Sequence, residues 1–117
     1  MKIRTLSLVC IILVTLFIVP SAYAFFCRGS DLVKYMKECE KRNYSTEYSV
    51  FECGLYMGFN VGVYDATDHI YRGEENITRG QINKIVMIYL KAHPERWNEA
   101  AADLVIDALK EAFPPKQ

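Results

Sequence analysis

Three of the four cysteines, Cys10 lying in the N-terminal apolar run, together with two histidines and a pair of aspartates, are the residues whose chemistry could make this chain an enzyme or a metal protein. A cysteine hydrolase needs a thiolate within hydrogen-bond reach of a histidine. Cys53 and His69 fall on one predicted helix 16 residues apart. At 1.5 Å per residue that is roughly 24 Å, so they cannot meet. Cys27 and His93 are not excluded by spacing, but no neighbouring residue supports the pairing. Asp65, Asp68 and His69 stand at i, i+3 and i+4, one helical face on which two carboxylates and an imidazole could hold a metal. Residue types this common make a weak signal. Hydrogen bonding by Asp65 at a helix contact, with His69 exposed near the helix end, explains them without a metal. The chain reads as a binding protein, not an enzyme, and no metal or cofactor is expected.

The ends bound where such a protein works. Lys2 and Arg4 precede an apolar run from Leu6 to Val19, followed by Pro20 and Ala22-Tyr23-Ala24. This is the pattern of a secretory signal peptide over residues 1–24, cleaved after Ala24. As a membrane span the run would cover roughly 21 Å against a hydrocarbon core of about 30 Å. Stable membrane insertion after cleavage is therefore not expected. Residues 25–117 remain as one domain with a modest core. The leader holds two of the 14 basic residues and none of the 14 acidic ones. That leaves 12 against 14, a net charge of about −2. Lys34, Lys37, Lys41 and Arg42 are interleaved with Glu38 and Glu40, a solvated helix face and not the basic stripe of a nucleic-acid binder.

Outside the leader, Cys27, Cys39 and Cys53 would sit in an oxidising compartment. The favoured bridge joins Cys39 to Cys53. It closes a loop of about 15 residues and contributes roughly 3 kcal/mol. Cys27 is then free or pairs between chains.

Four helices are predicted, an all-α single-domain bundle. The first runs from about Asp31 to Arg42, with Ser30 as N-cap. The second begins near Glu47 and carries Gly54, Gly58 and Gly62 four residues apart. Glycine weakens strand interiors and the apolar residues do not alternate, so helix is preferred to strand. The glycines are expected to form a smooth stripe packed against a neighbour inside the bundle. Gly73 to Asn76 reads as a turn. Thr78 and Gln81 form a capping box for the third helix, which ends near His93 because Pro94 disfavours helical geometry before it. Pro94 is expected in the first turn of a fourth helix. That helix buries Trp97, Ala101, Leu104, Val105, Ala108, Leu109 and Ala112, and Pro114 stops it.

Asp68 to Asn76 mixes an aromatic, an arginine and acids on a helix connection, a composition suited to recognition. Tyr71, Arg72, Glu74 and Glu75 are its candidate contacts.

Taken in order, Gly58-Phe59-x-x-Gly62-Val63-x-Asp65-Ala66, Ile77-Thr78-x-Gly80-Gln81, Tyr89-Leu90-x-x-His93-Pro94-Glu95 and Ala108-Leu109-x-x-Ala112-Phe113-Pro114 resemble the Rap/Tai family of type VI secretion immunity proteins. The family typically carries further cysteines before the third helix and after the last proline, where this chain has none. The resemblance implies a small periplasmic helical protein that binds a secreted toxin, often a peptidoglycan amidase, and occludes its active-site cleft. Dimerisation is common in such proteins. It also implies that Gly58, Gly62, Asp65, His93 and Pro94 serve the fold, while the Tyr71 to Glu75 loop meets the toxin. A small periplasmic stress chaperone or general binding protein is the competing class.

Overall fold

A computed structural model of the chain describes residues 2–3, 26–41, 46–71 and 76–115. Four α-helices make up the domain: α1 (Gly29–Glu40), α2 (Glu47–Thr67), α3 (Arg79–Ala92) and α4 (Ala101–Ala112). A single 3-10 turn, Pro94–Arg96, separates the last two. Two isolated antiparallel bridges, Arg28 with Ala100 and Tyr71 with Pro115, tie the helix connections together. No helix among the described residues is long and apolar enough to cross a membrane.

Local chemistry starts each helix. At α3, Thr78 Oγ1 accepts from the Gln81 backbone N–H at 3.2 Å, and Gln81 Oε1 accepts from the Thr78 N–H at 2.8 Å, the predicted capping box. Thr46 caps α2 by accepting from the Ser49 N–H at 3.2 Å. Helix α1 differs from expectation, since Ser30 lies inside its first turn. Arg28 is the cap residue, and its N–H donates to Asp31 Oδ2 at 2.9 Å.

The start of α4 is also corrected. Pro94 opens the 3-10 turn, and α4 begins only at Ala101. The backbone between them is engaged elsewhere. Gly29 N–H donates to Glu99 O at 2.9 Å, Ser30 N–H to Trp97 O at 2.7 Å, and Ala101 N–H to Cys27 O at 2.9 Å. Carbonyls that accept from the first turn of α1 are not available to continue a helix. The side chain at position 29 must be a hydrogen for this approach. A Cβ there would lie 2.4 Å from Leu104 Cδ1 and 2.9 Å from Trp97 Cα.

The core gathers Leu32, Val33 and Met36 from α1, Tyr56 from α2, Ile82, Val86 and Leu90 from α3, and Leu104, Val105 and Leu109 from α4. Ala112, expected inside, is exposed at the end of α4. Cys39 and Cys53 form a disulfide between α1 and α2, with 4.7 Å between their Cα atoms.

Candidate interaction surface

Three parts of the surface could carry the function: the connection between α2 and α3, the outer face of α2, and the turn after α3.

The α2–α3 connection is fastened at both ends. Tyr71 is fully buried, its ring 5.9 Å from that of Tyr64 and 6.4 Å from that of Phe113. Its hydroxyl pairs with Thr67 Oγ1. Burial pushes its phenol above the usual tyrosine range. The expectation that Tyr71 is a protruding contact is therefore corrected: an aromatic ring beside two others loses more apolar contact by leaving the core than an exposed loop position could return. On the other side Ile77 packs against the core and Thr78 caps α3. Arg72, Glu74 and Glu75, the other candidate contacts, lie outside the described residues.

Helix α2 has an inverted distribution of polarity. Its inward face buries Ser49, Glu52 and Asn60, while Val50 is 54%, Phe51 62%, Leu55 38% and Met57 40% exposed. Partners make the inward polarity tolerable. Lys34 Nζ lies 2.9 Å from Glu52 Oε1, and Ser49 Oγ donates to Glu38 Oε2 at 2.9 Å. The lysine beside it holds the Glu52 carboxyl below the usual range. Asn60 Nδ2 donates to Asn83 Oδ1 at 2.9 Å, and the Tyr56 hydroxyl to the Asn83 carbonyl at 2.6 Å. These bonds set the rotation of α2 about its own axis. With Glu52 and Asn60 facing inward beside Cys53 and Tyr56, the residues Val50, Phe51, Leu55 and Met57 fall away from the core.

The glycine stripe is on that outer face, so the expectation of internal packing is corrected. A Cβ built on Gly54, Gly58 or Gly62 meets nothing within 4 Å. Shallow grooves flank the stripe. One, of about 370 Å³, is lined by Cys27, Tyr35, Gly54, Leu55, Gly58 and Phe59. The other, of about 310 Å³, is lined by Gly54, Met57, Gly58, Val61 and Arg79. Among the described residues Cys27 is a free cysteine. Burial and then Asp31 raise its thiol above the ordinary 9.0, which keeps it protonated and a slow nucleophile.

The Tyr89-Leu90-x-x-His93-Pro94-Glu95 run closes on itself. The Tyr89 and His93 rings lie 4.3 Å apart, His93 Nδ1 is 3.2 Å from Glu95 Oε1, and the Trp97 indole donates to Leu90 O at 2.8 Å. Arg96 binds Glu99 at 2.6 Å and Asp107 at 2.8 Å, and also reaches the Tyr89 hydroxyl. These contacts hold the α3–α4 turn. Asp65, Asp68 and His69 are exposed, and no group of three or more potential ligands able to hold a metal ion occurs among the described residues.

Sequence reasoning missed the outer face of α2, although a signal was present. Between Val50 and Tyr64 the sole charged residue is Glu52. A helix with so few charges is expected to be enclosed, and among the described residues this one keeps Val50 and Phe51 more than half exposed.

These features define, among the described residues, a disulfide-stapled four-helix domain with apolar side chains exposed along α2. A family model described as Rap1a immunity proteins matches residues 28–115, and the chain belongs to that family. None of the curated proteins matches the chain.

Proposed function

We propose that the chain is exported by residues 1–24 and acts in the periplasm as an immunity protein, binding a toxin delivered by type VI secretion. The toxin class it suits is a peptidoglycan amidase, whose cleft it would occlude. Family membership across residues 28–115 carries this reading. Residues 72–75 are the proposed contact segment. They contain Arg72, Glu74 and Glu75, charges that give specificity and fast association when they meet complementary charges. Their flanks are the packed Tyr71 on one side and the capped Thr78 on the other, which lowers the ordering cost of binding. The resemblance further suggests that two copies act together.

Co-expression tests the reading. A cell exporting the cognate type VI toxin should lyse, and this chain should restore its growth only when residues 1–24 are present. Protection without the leader would contradict the periplasmic placement, and no protection in either form would contradict immunity.

A further inference from the structure

The chain enters the domain beside an open apolar groove. Cys27 O accepts from the Ala101 N–H at 2.9 Å, and the Arg28 N–H donates to Asp31 Oδ2 at 2.9 Å, so the fastened backbone begins at Cys27. Cys27 lines the groove of about 370 Å³, together with Tyr35 from α1 and Gly54, Leu55, Gly58 and Phe59 from α2. Phe26, one residue upstream, is fully exposed, and Phe25, which lies outside the described residues, precedes it. We propose that this groove is the seat of the mature N-terminus itself: once residues 1–24 are removed, the Phe25-Phe26 pair folds back between α1 and α2 and covers the Cys27 thiol. The proposal rests on the leader being cut after Ala24 and is independent of the toxin and of any pairing between copies.

Position, lining and room single out this occupant. Two residues span at most about 7 Å, and the pair is rooted at Cys27 on the rim, so a ring need only turn back to enter. As part of the same chain it arrives without the loss of translational freedom that a separate partner incurs. None of the six lining residues is ionic, and two of them, Tyr35 and Phe59, are aromatic, surroundings in which a phenyl ring gains packing beyond its buried area. The floor is low, because a Cβ on Gly54 or Gly58 would meet nothing within 4 Å. The space far exceeds the about 10–15 Å³ that one water requires and admits a ring. Left outside, each phenylalanine of the chain end would keep about 150–250 Å² in water. Covering the groove also matters for the cysteines. With Cys39 and Cys53 bridged, Cys27 is the thiol able to exchange with that bridge in an oxidising compartment. Burial already favours its protonated form, and a ring over Sγ removes access as well.

The experiment uses protein purified from the periplasm after expression of the full reading frame. N-terminal sequencing should read Phe25 first. Maleimide labelling of Cys27 in the folded parent should be at least tenfold slower than in Phe26→Ser, at every protein concentration. Gly54→Lys, whose side chain enters the open groove, should keep the helical circular dichroism of the parent and label as fast as Phe26→Ser; it serves if Phe26→Ser is not exported. Phe26→Ser should also lower the thermal midpoint by about 4 °C or more. A start other than Phe25 overturns the cut after Ala24 and the proposal with it. A Phe25 start with labelling equally fast in parent and variants, or equally slow in all three, overturns the seat and leaves export standing. Labelling that slows only as concentration rises, or only with phosphatidylglycerol vesicles, gives the groove to a second copy or to lipid and likewise overturns the proposal.

Discussion

The same substitution, glycine to alanine, should have opposite effects at positions 29 and 58. At Gly58 the added methyl meets nothing within 4 Å and lies in the interior of a 21-residue helix. Alanine is favoured over glycine there by about 0.5–1 kcal/mol through the smaller loss of backbone freedom. At Gly29 the methyl would lie 2.4 Å from Leu104 Cδ1 and 2.9 and 3.0 Å from Trp97 Cα and O. The leucine tip could rotate away, but the tryptophan backbone is held by Ser30 N–H at 2.7 Å. Overpacking of this kind costs about 1–3 kcal/mol. The two variants should therefore differ by roughly 2–4 kcal/mol. With about 4–8 °C per kcal/mol for a domain of this size, Gly58→Ala should raise the thermal midpoint by about 4 °C and Gly29→Ala should lower it by about 5–20 °C. Circular dichroism melts at a concentration where the protein is a single copy would measure both. A Gly29→Ala variant as stable as the parent would refute the close approach of α1 to the Trp97 turn. Loss of stability in Gly58→Ala under those conditions would show that the glycine stripe packs within the single copy.

Reducing the Cys39–Cys53 bridge, whose cysteines are 14 positions apart, should lower the unfolding free energy by about 3 kcal/mol; equal urea midpoints with and without reductant would contradict a stabilising bridge. Glu38, Glu52, Glu95 and Glu99 are held below their ordinary 4.5, with Lys41, Lys34, their own backbone and Arg96 respectively as the leading causes. A depressed carboxyl stabilises the fold above its unfolded pKa and stops doing so as pH falls through the folded value. Stability should thus be level near neutrality and fall below about pH 4.5, more gently in Glu52→Gln; an acid limb unchanged in that variant would remove Glu52 from the account. Tyr71→Ala should cost about 3–5 kcal/mol by emptying a core position, and Tyr71→Phe about 1 kcal/mol for the hydroxyl bond to Thr67. Tyr71→Phe should also inhibit the toxin as well as the parent, whereas Glu74→Lys should weaken inhibition at least tenfold; the reverse order would return Tyr71 to the contact surface.

The helical class, the Thr78–Gln81 box and the Cys39–Cys53 bridge were legible because each is written in residues close in sequence or in a short list of possible pairs. The late start of α4 was not. It depends on hydrogen bonds from Gly29, Ser30 and Ala101 that no local pattern contains. Position 71 was misread because loop composition cannot say whether an aromatic reaches outward or into the core; only the nearness of Tyr64 and Phe113 decides it. Helix α2 shows a different limit. Its apolar residues surround the axis, so periodicity cannot say which face is inside, and the choice falls to Glu52 and Asn60 through partners 18 and 23 residues away, Lys34 and Asn83. The Tyr89 to Glu95 run is the most specific of the four motifs that carry the resemblance, and ring stacking, the indole bond of Trp97 and the Arg96 ion pairs together hold the turn that precedes α4.

The central claim is that this chain neutralises a toxin by binding it. It is tested most directly by titrating the purified protein into a peptidoglycan-digestion assay containing the cognate toxin. Digestion should fall linearly to zero at one chain per toxin molecule, and the end point should be lost in Glu74→Lys. Undiminished digestion at a tenfold excess of folded protein would contradict the claim.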